Sequence, residues 1–258
     1  MDRKSLLLKR LDDIGQSLAR TGKGLALLGL GSVGTELDRL DEYSDLDFFA
    51  VVKEGCKQES IDNLNWLSSV CPIVYTFLNT RDGYKYLYED GIFCEMAMFE
   101  PAELGGVPFA NARIVWKDAA FDESLNAPKL HNSKARSTEW LLGEAITNLY
   151  VGLGRYHRGE KLSAARFIQG YAVDRVVELA ATIETEQPFH ADPFTAERRF
   201  ETRFPGIAAL LPDFIQGYEG SVESARAILA FLEAHFEVNQ PMKQVILDLC
   251  DANTKLDN

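Results

Sequence analysis

Residues 25–52, LALLGLGSVGTELDRLDEYSDLDFFAVV, constrain the fold more than any other stretch of the chain. An apolar run ends in a turn of glycine and serine, and after a polar segment a second apolar run carries Asp45 and Asp47. The second run is aromatic and β-branched, which favours a strand. Alternation along a strand places Asp45 and Asp47 on one face, about 6.6 Å apart at Cα, and turns Leu46 toward the core.

Two carboxylates on one strand face need a positive partner, because ionised carboxylates repel each other. A divalent cation that prefers hard oxygen ligands, such as Mg²⁺, is the natural partner. Directly upstream, Gly31 lets the backbone approach a ligand closely, and Ser32 offers a hydroxyl and an amide to a phosphate oxygen. A phosphate-binding turn beside metal-binding carboxylates is the equipment that phosphoryl or nucleotidyl transfer requires.

The order of these parts resembles the signature of the DNA polymerase β-like nucleotidyltransferase superfamily. Gly31 and Ser32 are followed by twelve residues and then by Asp45-Leu46-Asp47, which Ser44 precedes. The Ser-Asp-x-Asp form, in a chain of this length, is most similar to the nucleotidyltransferases that modify aminoglycoside and lincosamide antibiotics. The resemblance implies an α+β fold, in which an N-terminal mixed β-sheet flanked by helices is followed by a C-terminal α-helical bundle.

A third carboxylate, Glu95, is the lone charge in the apolar run GIFCEMAMF, residues 91–99, which predicts a long buried strand. A carboxylate in such a strand is costly unless it is paired, hydrogen-bonded or bound to a metal. Alternation places Glu95 on the face of Phe93 and Ala97. In the superfamily a third acidic residue comes from a later strand, and Glu95 matches it in position. The resemblance implies that Glu95 is the general base, a metal ligand or both; a glutamate that reaches a sheet edge or an arginine is the alternative.

The expected site therefore has two parts. Gly31 and Ser32 bind the phosphates of a nucleoside triphosphate, with ATP the first expectation, and Asp45, Asp47 and Glu95 hold one or two Mg²⁺ ions and carry catalysis. The expected reaction moves a nucleoside monophosphate to a hydroxyl of an aminoglycoside-like or lincosamide-like small molecule and releases pyrophosphate, which would make antibiotic resistance a role. The alternatives are a non-catalytic or toxin–antitoxin-type regulatory module of the same fold, or nucleotidylation of a protein.

Charge and composition restrict the partners. The net charge of −12 argues against a nucleic acid acceptor, since phosphate binding needs compensating cations, and favours a cationic small molecule. Four widely spaced cysteines indicate a reducing compartment. Without a signal-peptide core or an uncharged apolar stretch of 18 residues, we expect no membrane partner and a cytoplasmic location. The oligomeric state is left open.

The sequence divides into two predicted domains, a catalytic domain of residues 1–118 and a helical substrate-binding domain of residues 119–258, with 118–130 as the linker. Helical periodicity predicts helices over 2–21, 134–157, 163–184, 222–237 and 242–249. Candidates in the helical part for contact with triphosphate or acceptor are Glu144, Arg155, Arg158, Arg166 and Arg175. Solvated faces and intrahelical ion pairs are the alternative for these residues.

Overall fold

The computed structural model describes residues 1–110, 112–127 and 136–252. The chain divides into two compact units, Met1–Asn132 and Ser133–Asn258. The first unit is built on a six-stranded mixed sheet with flanking helices, and the second is helical. This is the predicted α+β class, a mixed sheet followed by a helical bundle. The domain limits 1–118 and 119–258 stay a prediction.

The sheet has the strand order β3-β4-β5-β2-β1-β6. Its strands are β1 Gly24–Gly29, β2 Leu46–Val52, β3 Ile73–Thr80, β4 Gly83–Tyr88, β5 Phe93–Phe99 and β6 Arg113–Lys117. Strands β2 and β5 run parallel, whereas the other neighbouring strands are antiparallel. The two strands that carry the predicted carboxylates are therefore direct neighbours in the middle of the sheet.

Four helices flank the sheet in the described part of the first unit, three on one face and the fourth on the other. The helices are α1 Arg3–Arg20, α2 Lys57–Asp62, α3 Asn65–Ser68 and α4 Pro101–Leu104. The side chain of Asp2 caps α1 by accepting a hydrogen bond from the Ser5 amide, as residues at this position commonly do. The predicted stripe of Leu7, Leu11 and Ile14 is fully buried, which confirms the helical periodicity of this segment.

The sheet has two apolar faces, and alternation divides the residues of β2 between them. Leu46 and Phe48 belong to the core that includes the stripe of α1. Val51 belongs to a smaller cluster on the other face, with Phe99 from β5 and Phe109 from the chain that follows. Asp47 shares that second face, because it alternates with Leu46 and Phe48. Asp47 thus lies on the sheet face opposite α1.

Residues 118–127, which fall in the predicted linker, pack onto the first unit instead. The Phe121 side chain is buried in the same cluster as Phe109, and Glu123–Asn126 form a 3₁₀ turn. The Asn126 side chain also donates a hydrogen bond to the Ala112 carbonyl. Burial of one aromatic ring favours ordering of this segment, which its polar composition did not indicate. Residues 128–130 of the predicted linker lie outside the described residues.

The helical unit is a bundle around its own apolar core. Its helices are α5 Thr138–His157, α6 Lys161–Ala165, α7 Val173–Leu179, α8 Phe200–Arg203, α9 Pro205–Ala208, α10 Leu211–Phe214, α11 Ser221–His235 and α12 Gln240–Asp251. The helix predicted over 163–184 is instead divided, because residues Arg166–Ala172 form a π-helix between α6 and α7. A periodicity of 3.6 residues cannot indicate such a segment, since a π-helix bonds residue i to i+5. Across the described ranges, no helix has the length and apolar character needed to cross a membrane.

Candidate active site

The turn after β1 lies directly against Asp47, the second acid of the predicted pair. Gly31 opens a 3₁₀ turn, Gly31–Val33, with φ of 54°, a left-handed conformation that favours glycine. A Cβ atom added at Gly31 would lie 3.3 Å from Oδ2 of Asp47, and the Leu30 amide donates a 2.8 Å hydrogen bond to the Asp47 carbonyl. The predicted phosphate turn and the Asp47 carboxylate are therefore adjacent.

The same turn is supported from the other side of β1. Arg113 of β6 pairs in register with Gly29, and its Nε donates a 3.0 Å hydrogen bond to the Val33 carbonyl. Ser32 lies half-buried within the turn. Contacts from both neighbouring strands, β2 and β6, thus hold a glycine-rich turn in which Gly31 is exposed and Ser32 is half-buried. Turns of successive backbone amides can bind anions.

Register brings two of the three predicted carboxylates side by side. In the parallel pairing of β2 with β5, Asp47 is the partner of Glu95, and neighbouring strands lie about 4.8 Å apart. Both residues lie on the sheet face opposite α1, since Leu46 and Cys94, their neighbours in sequence, are fully buried on the other face. The predicted face of Glu95 is therefore confirmed, although its strand is central rather than at an edge.

Glu95 is held by a cation that the sequence analysis did not identify. Lys85 of β4 is the cross-strand partner of Glu95, and its Nζ donates a 2.7 Å hydrogen bond to Glu95 Oε1. The pair is partly exposed, with 36% of the Lys85 side chain and 38% of the Glu95 side chain accessible. The bond to Glu95 raises the pKa of the Lys85 ammonium, and the charges of Asp47 and Asp45 add to this effect. All three acids therefore act on one ammonium group.

Asp45 lies immediately before β2, so the predicted strand begins one residue later than the first acid. The loop leading to it is fixed by Asp41, which accepts hydrogen bonds from the Tyr43 amide and the Ser44 hydroxyl. This local bonding of an aspartate to the backbone two residues on is typical of turns. It determines where the chain enters β2 and therefore where Asp45 is placed.

The donor chemistry of this site fits a hard divalent cation, because Asp45, Asp47 and Glu95 supply only carboxylate oxygens. The space at Gly31 beside Asp47 Oδ2 is one that a Cβ would restrict, so it suits the close approach of a ligand. Within the described residues, however, no group of three or more histidine, cysteine, aspartate or glutamate side chains is arranged to hold a metal ion. The three-carboxylate metal set stays a prediction.

Two further residues of the site face were missed from the sequence. Lys85 stands between two tyrosines in a segment whose short pattern did not separate a strand from a helical turn. Phe77 of β3 is the cross-strand partner of Lys85, so Phe77, Lys85, Glu95 and Asp47 form one row across four strands. The Phe77 side chain is 51% exposed. An aromatic ring thus borders the charged row at the edge of the sheet.

Comparison with known proteins gives no family assignment. No family model matches the chain, and no curated protein matches it. A crystal structure of an aminoglycoside 6-adenyltransferase from Bacillus subtilis is similar over 94% of this chain and 91% of that chain, with 13% sequence identity and a TM-score of 0.35. Sequence identity and a TM-score at this level do not place the chain in a family.

Proposed function

We propose that this chain is a metal-dependent nucleotidyltransferase that moves a nucleoside monophosphate from a nucleoside triphosphate to a hydroxyl of a small molecule. The observation that carries the proposal is the adjacency of three elements: the Gly31 turn, the Asp47 carboxylate and the Glu95 carboxylate. A turn with an exposed backbone receives phosphate oxygens, and adjacent acids concentrate negative charge where a cation and a proton acceptor are required.

In the proposed reaction the acceptor hydroxyl oxygen bonds to the α-phosphorus, and the bond from that phosphorus to pyrophosphate breaks. Glu95 takes the hydroxyl proton, and the backbone of Gly31 and Ser32 binds phosphate oxygens of the triphosphate. Asp45 and Asp47, with Glu95 as a candidate third ligand, would hold Mg²⁺, which when bound neutralises charge on the phosphates. Lys85 holds the Glu95 carboxylate in place through the bond to Oε1.

The acceptor class is part of the proposal. The row runs from Asp47 and Glu95 through Lys85 to the exposed ring of Phe77, so two acids, one ammonium group and an aromatic ring share one face. Carboxylates attract cations, and an aromatic ring face attracts them as well, which favours a cationic acceptor over an anionic one. ATP is the proposed nucleotide, and an aminoglycoside-like or lincosamide-like molecule is the proposed acceptor.

The test is transfer of label from each of four α-labelled nucleoside triphosphates, with Mg²⁺, to aminoglycosides, lincosamides and a pool of metabolites. We expect a labelled product for the wild type and its loss in Asp47→Asn, with unchanged unfolding. Asp62→Asn is the matched control, because it removes the same charge from an exposed residue of α2 whose carboxylate bonds the nearby Gln58 side chain. Turnover in Asp47→Asn equal to that of Asp62→Asn would refute the proposal.

A binding module without turnover is the second candidate, and the ion pair of Lys85 with Glu95 favours it. The Lys85 ammonium group bonds the proposed base, and no group of three metal-binding side chains is found among the described residues. This pattern is expected where a lysine replaces a metal ion. Calorimetry with Mg²⁺ separates the two functions. Binding of Mg²⁺ and nucleotide by the wild type supports the transferase, whereas Mg²⁺ binding that appears only in Lys85→Met supports the module.

A further inference from the structure

The helical unit contains a cavity of about 540 Å³ whose lining is basic and aromatic. Its walls come from the end of α5, from α6, from the π-helix and from the loop that precedes α11. Its charged and aromatic lining residues are Arg155, Glu160, Lys161, Arg166, Phe167, Tyr171 and Tyr218. Cavities of roughly 300–1,000 Å³ are the size of sites for small molecules.

The π-helix is what brings the lining side chains together. Arg166 and Tyr171 are five residues apart, and Arg166 Nε donates a 3.3 Å hydrogen bond to the Tyr171 hydroxyl. A π-helix, whose bonds join residue i to i+5, places residues of this spacing on one face, and such segments occur frequently at functional sites. Phe167 packs edge-on against Tyr171, with ring centroids 5.2 Å apart. One short segment thus contributes a cation and two rings to the same cavity.

The side-chain hydrogen bonds of the two cavity arginines go to hydroxyl groups, although the charge of Asp174 also acts on Arg166. Arg155 donates to the hydroxyl of Ser163 and stacks on Phe167, with Cζ 4.2 Å from the ring centroid. Arg166 donates to the Tyr171 hydroxyl. In addition, Arg155 Nε is buried with no hydrogen-bond partner among the described residues. Because a guanidinium bonds a carboxylate or phosphate more strongly than a hydroxyl, both groups can exchange these partners for an anion.

The charge balance of the cavity is positive within an acidic protein. Arg155, Arg166 and Lys161 line it against one lining carboxylate, Glu160, in a chain whose net charge is −12. Lys161 bonds Glu219, which is largely exposed, and Glu160 bonds Arg158 outside the lining. With Lys161 paired to Glu219, the lining cations left to attract an anion are Arg155 and Arg166, which bond hydroxyl groups.

We propose that this cavity binds a small molecule that joins an anionic group, phosphate or carboxylate, to a planar ring. Arg155 and Arg166 bind the anionic group, and the rings of Tyr171 and Tyr218, the latter 54% exposed, stack on the planar part. A nucleotide is one source of this chemistry, and a phosphorylated or carboxylated aromatic metabolite is another. The cavity lies within the helical unit, so the inference does not depend on the proposed transfer reaction.

The test is calorimetric titration of the full chain with phenyl phosphate in the absence of divalent cations. We expect saturable binding with one site per chain, weakened about tenfold or more in Arg166→Glu, since a charge-assisted hydrogen bond becomes a repulsion. Arg81→Glu is the matched control, because it changes charge equally at a side chain that is 89% exposed in the first unit. No saturable binding, or equal binding by Arg166→Glu and Arg81→Glu, would overturn the inference.

Further arms identify what is recognised and where. Inorganic phosphate and phenol test the two halves of the ligand, and we expect each to bind more weakly than phenyl phosphate; equal binding of inorganic phosphate would overturn the aromatic part. Tighter binding of AMP than of phenyl phosphate supports a nucleotide, and weaker binding supports a different aromatic anion.

Asp47→Asn is expected to bind phenyl phosphate normally, and loss of binding there would place the ligand outside this cavity. Arg166→Lys, which keeps the charge, is expected to restore part of the affinity lost in Arg166→Glu. Equal unfolding midpoints of these variants and the wild type exclude misfolding as the cause of weaker binding.

Discussion

Substitution of Gly31 by alanine tests the contact between the turn and the Asp47 carboxylate. With φ of 54°, alanine at this position adopts a left-handed conformation that costs about 1–2 kcal/mol, offset by about 0.4–1 kcal/mol from a stiffer unfolded chain. We therefore expect a loss of about 1 kcal/mol in the free energy of unfolding. The new Cβ would lie 3.3 Å from Asp47 Oδ2, so the carboxylate would move by a few tenths of an ångström.

That movement is expected to affect function more than stability. A misplacement of about 1 Å at a catalytic group can cost about 100-fold in rate, so a few tenths of an ångström should cost about threefold to tenfold. Gly22→Ala is the matched control, because Gly22 has φ of 68° and open space around the added Cβ. The two variants share the backbone cost and differ in the contact with Asp47.

The assay compares urea denaturation and Mg²⁺-dependent release of pyrophosphate for Gly31→Ala, Gly22→Ala and the wild type. We expect both variants to lose similar stability and only Gly31→Ala to lose transfer rate. Mg²⁺ affinity measured by calorimetry gives a second reading that does not require turnover. Equal transfer rates and equal Mg²⁺ affinities of the two variants would show that the contact between the Gly31 turn and the Asp47 carboxylate does not matter for function.

Two further outcomes are expected from the packing of each unit. Lys57→Met should cost about 2 kcal/mol in the free energy of unfolding at neutral pH, since Lys57 bonds Asp82 within a partly buried network. Lys57 holds the pKa of Asp82 below its ordinary value of 3.8, so this contribution is present at higher pH and is lost as the pH falls through the lowered pKa. The urea midpoints of variant and wild type should therefore converge in acid, and midpoints that stay apart would contradict this prediction. In the helical unit, Gly152→Ala should cost about 1–3 kcal/mol of stability because the added Cβ would lie 2.5 Å from Ile168 Cγ1. Gly143→Ala, in open space on the same helix, should instead stabilise the protein by about 0.5–1 kcal/mol. Thermal unfolding of both variants checks this, and a Gly152→Ala variant as stable as the wild type would contradict it.

The sequence predicted the parts of the fold that depend on local periodicity. The apolar stripe of α1 and the alternation around Asp47 and Glu95 follow from residue spacing alone, because spacing determines which side chains share a face. The strand Leu46–Val52, which enters after the Gly31 turn, is also predicted from its aromatic and β-branched residues. In each case the information is contained in fewer than twenty consecutive residues.

The rest depended on pairing between distant segments. Lys85 became part of the site because β4 pairs with β5 in one particular register, and nothing in its own neighbourhood specifies that partner. The same holds for Arg113, which supports the turn through the pairing of β6 with β1. The π-helix escaped prediction for another reason, since its residues satisfy an ordinary helical pattern until packing against α5 is known. Register and packing are properties of the folded chain, not of a window of sequence.

The parallel pairing of β2 with β5 has a consequence for how the acidic pair comes into being. Asp47 and Glu95 belong to strands that are separated in sequence by the hairpin of β3 and β4, and they meet only when this crossover closes. Joining strands over such a distance carries a larger entropic cost than closing a hairpin, so it belongs to the slow stage of folding. A polypeptide that ends before β5 therefore contains Asp47 without its cross-strand partner Glu95.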